Sequence, residues 1–130
     1  VVSTLMTASF GLDTTLHHVI DCVADRQLAL ELAIDLGFYR ICTSGDTIEA
    51  ETGKAMIAKM VKQAVDRTIV MPRSGLMPAN IRKIGKAIGA MEFHTSCCAP
   101  AKTGTKHLFS NHASFATRSE MVRDRKNTLA

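Results

Sequence analysis

Arg67-Thr68-Ile69-Val70-Met71-Pro72-Arg73-Ser74-Gly75 passes from an apolar run to a turn within a few residues and leads into a helix. Thr68 to Met71 is β-branched and apolar with little alternation, the pattern of a strand buried on both faces. Pro72 has no N–H to give a neighbouring strand and ends the pairing. Arg73-Ser74-Gly75 is a tight polar turn, and Pro78 suits the first turn of a helix with Ile81, Ile84 and Ile88 on one stripe. The stretch predicts a strand over 67–71 and a helix over 78–88 stopped by Gly89, the hinge of a βα unit. Small residues and an arginine between strand end and helix start suit an anion or phosphate. The same residues also make an ordinary βα turn.

The same alternation extends to both sides. Residues 1–9 read as the tail of a helix, and Asp13 to His18 as a short strand ending on two histidines. Asp25 is a good N-cap for a helix with Leu28, Ala29, Leu32, Ala33 and Leu36 on one face, and Gly37 a good C′ residue. Tyr39 to Thr43 reads as a strand closed by Ser44-Gly45. Asp46 with Glu49 resembles a capping box, before a helix whose stripe is Ile57, Met60, Val61 and Ala64. Met91 to Thr95 makes a further strand. Strand starts near 13, 39, 67 and 91 are spaced by one βα unit each, which predicts an α/β fold of four βα units with parallel strands. After Ser96 the pattern decays. Pro100 to His112 reads as a loop and 116–127 as a polar helix without an apolar stripe, so 1–130 is expected to be one domain with 99–130 a divergent, loosely ordered tail.

The 130 residues are 46% hydrophobic, enough for one core. Residues 1–98 hold ten Lys/Arg and ten Asp/Glu, while 99–130 hold six and two, so the whole excess of +4 lies in the tail. A balanced body releases few counterions, which argues against a nucleic-acid partner. Cys22, Cys42, Cys97 and Cys98 show no C-x-x-C spacing and no finger-spaced histidine, so neither a zinc module nor a disulfide framework is indicated, and a reducing compartment is expected. No stretch is apolar enough to span a bilayer. The chain does not open with Met, and a fragment is the expectation.

In parallel sheets the chemistry gathers at the carboxyl ends of the strands, where loops and helix N-termini converge. All the predicted strands end in polar groups: His17, His18 and Asp21; Thr43 and Ser44; Arg73 and Ser74; His94, Thr95 and Ser96. The period of two puts Glu92, His94 and Ser96 on one face. A carboxylate beside an imidazole makes an acid/base pair, since each shifts the other's pKa; a self-satisfied core pair has the same sequence. His17 and His18 point to opposite faces, so only one can line a shared site. Cys97 and Cys98 offer soft thiolates to Cu(I), although adjacent cysteines diverge in an extended chain and free cysteines also serve as small apolar filler.

Several of these stretches resemble the copper homeostasis protein CutC family. Leu16-His17-His18-Val19-Ile20-Asp21 is similar to its Phe-His-Arg-Ala-Phe-Asp, and Leu36 to Gly45 to its Leu-Gly-Phe-x-Arg-Val-Leu-Thr-Ser-Gly. Ile69 to Gly75 resembles Ile-Val-Met-Pro-Gly-Gly-Gly, and Glu92 to Ser96 resembles Glu-Phe-His-x-Ser. The resemblance runs from about Val2 to Cys97 and weakens afterwards. It implies half of a TIM-type (β/α) barrel, carrying strands five to eight, since a whole barrel needs typically ~250 residues. It also implies cytoplasmic copper handling, with the proposed copper ligands on the first two strands and so outside this chain. His17, Asp21, Thr43, Ser44, Gly75, His94 and Ser96 match motif residues. His18 stands where the family has Arg, and Arg73-Ser74 where it has two glycines.

The resulting expectation is a truncated CutC-like protein that binds copper, possible ligands being Cys97 and Cys98. The competing class is a barrel enzyme acting on a phosphorylated small molecule, with an anion site of Arg73, Ser74, Gly75, Thr43, Ser44 and Ser96 and acid/base work by His17, Asp21, Glu92 and His94. Open sheet edges and a bared apolar barrel face predict self-association or aggregation.

Overall fold

The computed structural model describes residues 1–96 and, beyond them, the backbone of Cys98–Pro100 and Met121–Arg123. In chain order the elements are α1 (Val2–Ala8), β1 (Thr15–His17), a 3-10 turn (Val19–Cys22), α2 (Arg26–Asp35), β2 (Arg40–Thr43), α3 (Ala50–Ala64), β3 (Ile69–Pro72), α4 (Ile81–Ile88), β4 (Cys98–Pro100) and β5 (Met121–Arg123). They fall into two units, Val1–Thr95 and Ser96–Ala130.

In the first unit β1, β2 and β3 form a parallel sheet in that order. The fourth expected strand, over 91–95, is reduced to a single parallel bridge between Arg73 and His94, held by the His94 N–H donating to the Pro72 carbonyl at 2.9 Å. Side chains anchor this segment on either side of the bridge: Glu92 on Arg40 and the Thr95 hydroxyl on the Leu76 carbonyl. The sheet is thus three strands and a bridge, rather than four full βα units.

The helices begin and end where local chemistry dictates. Asp25 caps α2, its carboxylate accepting the Leu28 N–H at 3.0 Å, and Gly37 follows at φ +85°. Gly89 closes α4 at φ +74°. The capping box expected from Asp46 and Glu49 does not form: α3 starts after Glu49 without a side-chain cap, and Asp46 instead pairs with Arg26 at 2.5 Å. Before α4, Asn80 closes the turn, accepting from Met77 N and donating to the Gly75 carbonyl, each at 2.8 Å.

Ile41 and Val70 from the sheet pack with Ile57, Met60 and Ala64 of α3, Ile84 and Ile88 of α4, and Leu30 and Ala33 of α2. In the expected stripes of α3 and α4, Ile57, Met60, Ala64, Ile84 and Ile88 are buried, while Val61 and Ile81 are half-buried. That of α2 is buried only at its alanines: Ala33 is in the core and Ala29 packs against it, but Leu28 and Leu32 are 58% and 54% exposed, and Leu30 takes the core in their place. Leu28-Ala-Leu-Glu-Leu-Ala-Ile is apolar on both flanks, so periodicity alone cannot choose the face.

α3 approaches the loop after β2 very closely. A Cβ on Gly53 would lie 1.9 Å from the Ser44 carbonyl oxygen, and one on Gly45 would lie 2.4 Å from the Gly53 oxygen. Two glycines are therefore required where helix meets loop.

In the second unit β4 and β5 pair antiparallel, Ala99 opposite Val122. β5 falls within the polar helix expected over 116–127. A helix without an apolar face gains little from packing, whereas strand pairing satisfies these backbone groups directly. The rest of that expected helix and the loop after Pro100 lie outside the described residues, as does the question of order in the tail. Among the described residues no helix is long and apolar enough to cross a membrane.

Candidate functional site

Register and alternation sort the sheet into two faces. Leu16, Ile41 and Val70 pair across one row and pack toward the helices. The rows on the opposite face are Thr15, Arg40 and Ile69, then His17, Cys42 and Met71, with Arg73 and His94 beyond. This face is largely polar, which corrects the expectation of a bared apolar one.

Asp21 sits at the carboxyl end of this sheet but works as a clamp. Its carboxylate accepts hydrogen bonds from the Thr43 hydroxyl, from Ser44 N at 2.9 Å and Oγ at 3.2 Å, and from Asp46 N at 3.2 Å. His18, at φ +65°, leaves the strand and places Nδ1 2.9 Å from the same carboxylate. Burial pushes the carboxyl pKa up, but the hydrogen bonds from Thr43, Ser44, His18 and Asp46 outweigh it and hold it below its usual value. Its acceptor positions are filled, so Asp21 has little capacity left for a substrate proton.

Glu92 is also committed. It accepts from Arg40 Nε at 2.5 Å and from Nη2 at 3.4 Å, and Arg40 reaches Asp13 as well. Arg40 opens β2, so this pair lies at the amino end of the sheet, away from the strand ends. The expected pairing of Glu92 with His94 does not form: the carboxylate goes to the guanidinium, not to the imidazole.

The residues expected to hold an anion are largely occupied. Thr43 and Ser44 are donors to Asp21, and the Ser44 hydroxyl also reaches the Thr47 carbonyl at 2.6 Å. Ser74 and Gly75 both take positive φ, and the Glu49 side chain packs over Gly75, within 2.9 Å of where a Cβ would sit. A carboxylate at that loop repels an anion. Ser96 belongs to the second unit. Cys97 lies outside the described residues, and Cys98 is described only as part of the β4 backbone.

The groups that do converge are His17, Cys42 and His94. The two imidazoles meet edge to face with ring centroids 5.1 Å apart. With the Cys42 sulfur they offer three ligand atoms, all within 4.8 Å of one another. Cys42 is fully buried, and burial pushes its thiol up to about 11 against the opposing charge of Arg73. Partial burial of the ring, then Arg73, His94 and His18, lower the His17 pKa, which keeps its imidazole neutral and able to ligate. Among the described residues neither ring has a hydrogen-bond partner on its nitrogens, and Arg73 Nε is buried without one. His17 and His94 were legible as candidates. Cys42 was not singled out, although the period of two on β2 already sets it two residues from Arg40 on the same face.

The CutC family model matches residues 1–99. A CutC family protein of Caulobacter vibrioides is 38% identical over 100 residues, 77% of this chain and 41% of that protein. The copper homeostasis protein cutC homolog of Homo sapiens is 36% identical over 115 residues, 88% of this chain and 42% of its own length. A family protein CutC of Parabacteroides distasonis is 45% identical over 92 residues, 71% of this chain and 38% of its own. The chain thus spans about two fifths of the length of these relatives. The crystal structure of a protein described as CutC from Streptococcus agalactiae superposes with a TM-score of 0.67 at 24% identity, covering 72% of this chain and 46% of that one. That likeness gives the fold, α/β with a parallel sheet in the TIM-barrel-like CutC manner. The matched residues include β1 to β3, the turn that carries Asp21, and the segment ending on His94, and the chain belongs to the CutC family.

Proposed function

We propose that this chain handles copper, binding Cu(I) at the carboxyl ends of its parallel strands in a reducing, cytoplasmic setting. The sheet and its bridge then correspond to strands five to eight of a CutC-type barrel. The observation that supports this reading is the convergence of two imidazoles, His17 and His94, 5.1 Å apart on the polar face and without a nitrogen hydrogen-bond partner among the described residues. Imidazole is a good copper donor, and sulfur donors are better still for the monovalent ion. Cys97 and Cys98 remain sulfur candidates from the sequence. The reading also takes in association between copies, because among the described residues β1 has a neighbour on one side only.

The test is an anaerobic competition titration of the folded chain against a Cu(I) chelator, with circular dichroism on the same samples. One Cu(I) withdrawn from the chelator per chain is the expected result. A folded chain that withdraws none overturns the reading.

A further inference from the structure

The two imidazoles come from separate segments, and the fully buried thiol of Cys42 lies against both. His17, Cys42 and Met71 are aligned across three neighbouring strands in one register row. His94 is brought to the same place by its bridge to Arg73. The structure assigns to this chain a three-coordinate site in which His17, Cys42 and His94 hold one Cu(I) through two nitrogens and one sulfur. This deepens the copper reading above and rests on it.

Geometry, charge and softness agree. Metal bonds of about 2.0–2.3 Å to imidazole and thiolate set donors roughly 3.5 Å apart. Ligand atoms already within 4.8 Å of one another reach that spacing by small side-chain rotations. Neither ring must break a hydrogen bond to another described residue to do so. On binding, the Cys42 S–H bond breaks, the sulfur keeps the electron pair to bond copper, and the proton passes to solvent; the copper enters and stays monovalent. The thiolate cancels the charge of a monovalent ion, leaving the site neutral beside Arg73. A divalent ion would leave a net positive charge beside the guanidinium, which opposes Zn²⁺ and which the Asp21 carboxylate, the other charge acting on Cys42, offsets in part. Met71, next in the row, adds a thioether to the same side of the sheet, a donor that also suits Cu(I).

The site differs from the thiol pair of Cys97 and Cys98, and variants separate the two. The titration is run on wild type, Cys42→Leu, Cys42→Ser, His17→Gln, His94→Gln and the Cys97→Ser/Cys98→Ser double variant. Leu is the residue that the resembled motif has at position 42, and both histidines are exposed, so at least the histidine variants are expected to fold. The expected result is loss of more than about a hundredfold in Cu(I) affinity for each variant of the three ligands, beyond what losing an outer-shell partner costs. Thiolate-to-copper absorbance should vanish in the Cys42 variants, and the double variant should keep wild-type affinity. Wild-type affinity in folded His17→Gln and His94→Gln overturns the site, whatever the Cys42 variants do. If only the double variant loses copper, this site fails while the copper reading stands. If wild type itself fails to compete, both fail. Zn²⁺ displacing Cu(I) at equal concentration overturns the monovalent assignment.

Discussion

Asp21 accepts the backbone N–H of Ser44 at 2.9 Å, so the turn after β1 closes the loop after β2. Asp21→Asn would put an amide where donors already point. With hydrogen bonds to a charged group worth about 1.5–3 kcal/mol each, the variant is expected to lose about 2–4 kcal/mol. Urea denaturation reads this directly; a loss under about 0.5 kcal/mol would show that the clamp does not hold the fold.

The same carboxylate gives a pH dependence. Its folded pKa lies below its usual value, so the unfolded chain binds the proton first as pH falls. The stabilisation is present above the unfolded pKa of about 3.9 and disappears as pH drops through the folded value. Glu31, brought to about 2 chiefly by its hydrogen bonds from Arg67 and then Gln63, adds to the same acid limb. Stability followed from pH 7 downward should fall below about pH 4, and less steeply in Asp21→Asn. Equal slopes in the two proteins would remove Asp21 from the explanation.

Glu92→Gln separates a structural carboxylate from an acid/base one. The Arg40 pair is partly exposed, with side chains 26% and 37% accessible, so its loss should cost about 0.5–1 kcal/mol. Cu(I) affinity should stay within about twofold, since 0.4 kcal/mol or less is roughly that factor. A large change in affinity with little change in stability would return Glu92 to the site.

Gly53→Ala tests the contact between α3 and the loop after β2. In an ordinary helix interior this change gains roughly 1 kcal/mol. Here the new methyl would meet the Ser44 carbonyl at 1.9 Å, and overpacking of backbone against backbone is expected to reverse the sign, to a loss of about 3 kcal/mol or more. A neutral or stabilised variant in thermal denaturation would contradict this packing.

α2 supplies a paired test of its faces. Leu30→Ala, at a site with 0% exposure, should cost about 2–5 kcal/mol. Leu32→Ala should cost under about 1 kcal/mol. Light scattering on Leu28→Lys/Leu32→Lys shows whether the exposed leucines drive the expected association; unchanged association would move that role to the open edge of β1.

Much of this was readable from local chemistry. Asp25 and Gly37 bracket α2, Gly89 stops α4, and the apolar run Ile69 to Met71 lies in the third strand, because caps, stops and apolar runs act within a few residues; the strand outlasts its expected end by one residue, since Pro72 still pairs with Thr43 and its carbonyl accepts from His94. What escaped depends on distant partners. The core side of α2 is chosen by the sheet, not by its own leucines. The period of two sets Glu92 beside His94, yet the segment makes only one bridge, and the carboxylate meets Arg40 of β2 instead. Asp21 looks catalytic by position until the loop after β2 folds over it. Cys42 gains meaning only when the register sets it between His17 and Met71.

The row His17, Cys42, Met71 also makes the site a matter of odd and even. Removing a single residue between Phe38 and Cys42 would slide β2 by one step, bringing Thr43 round in place of the thiol and turning the cysteine toward the helices. The loops after the strands can lengthen or shorten without touching the donors. The strand cannot change its parity and keep sulfur in the set.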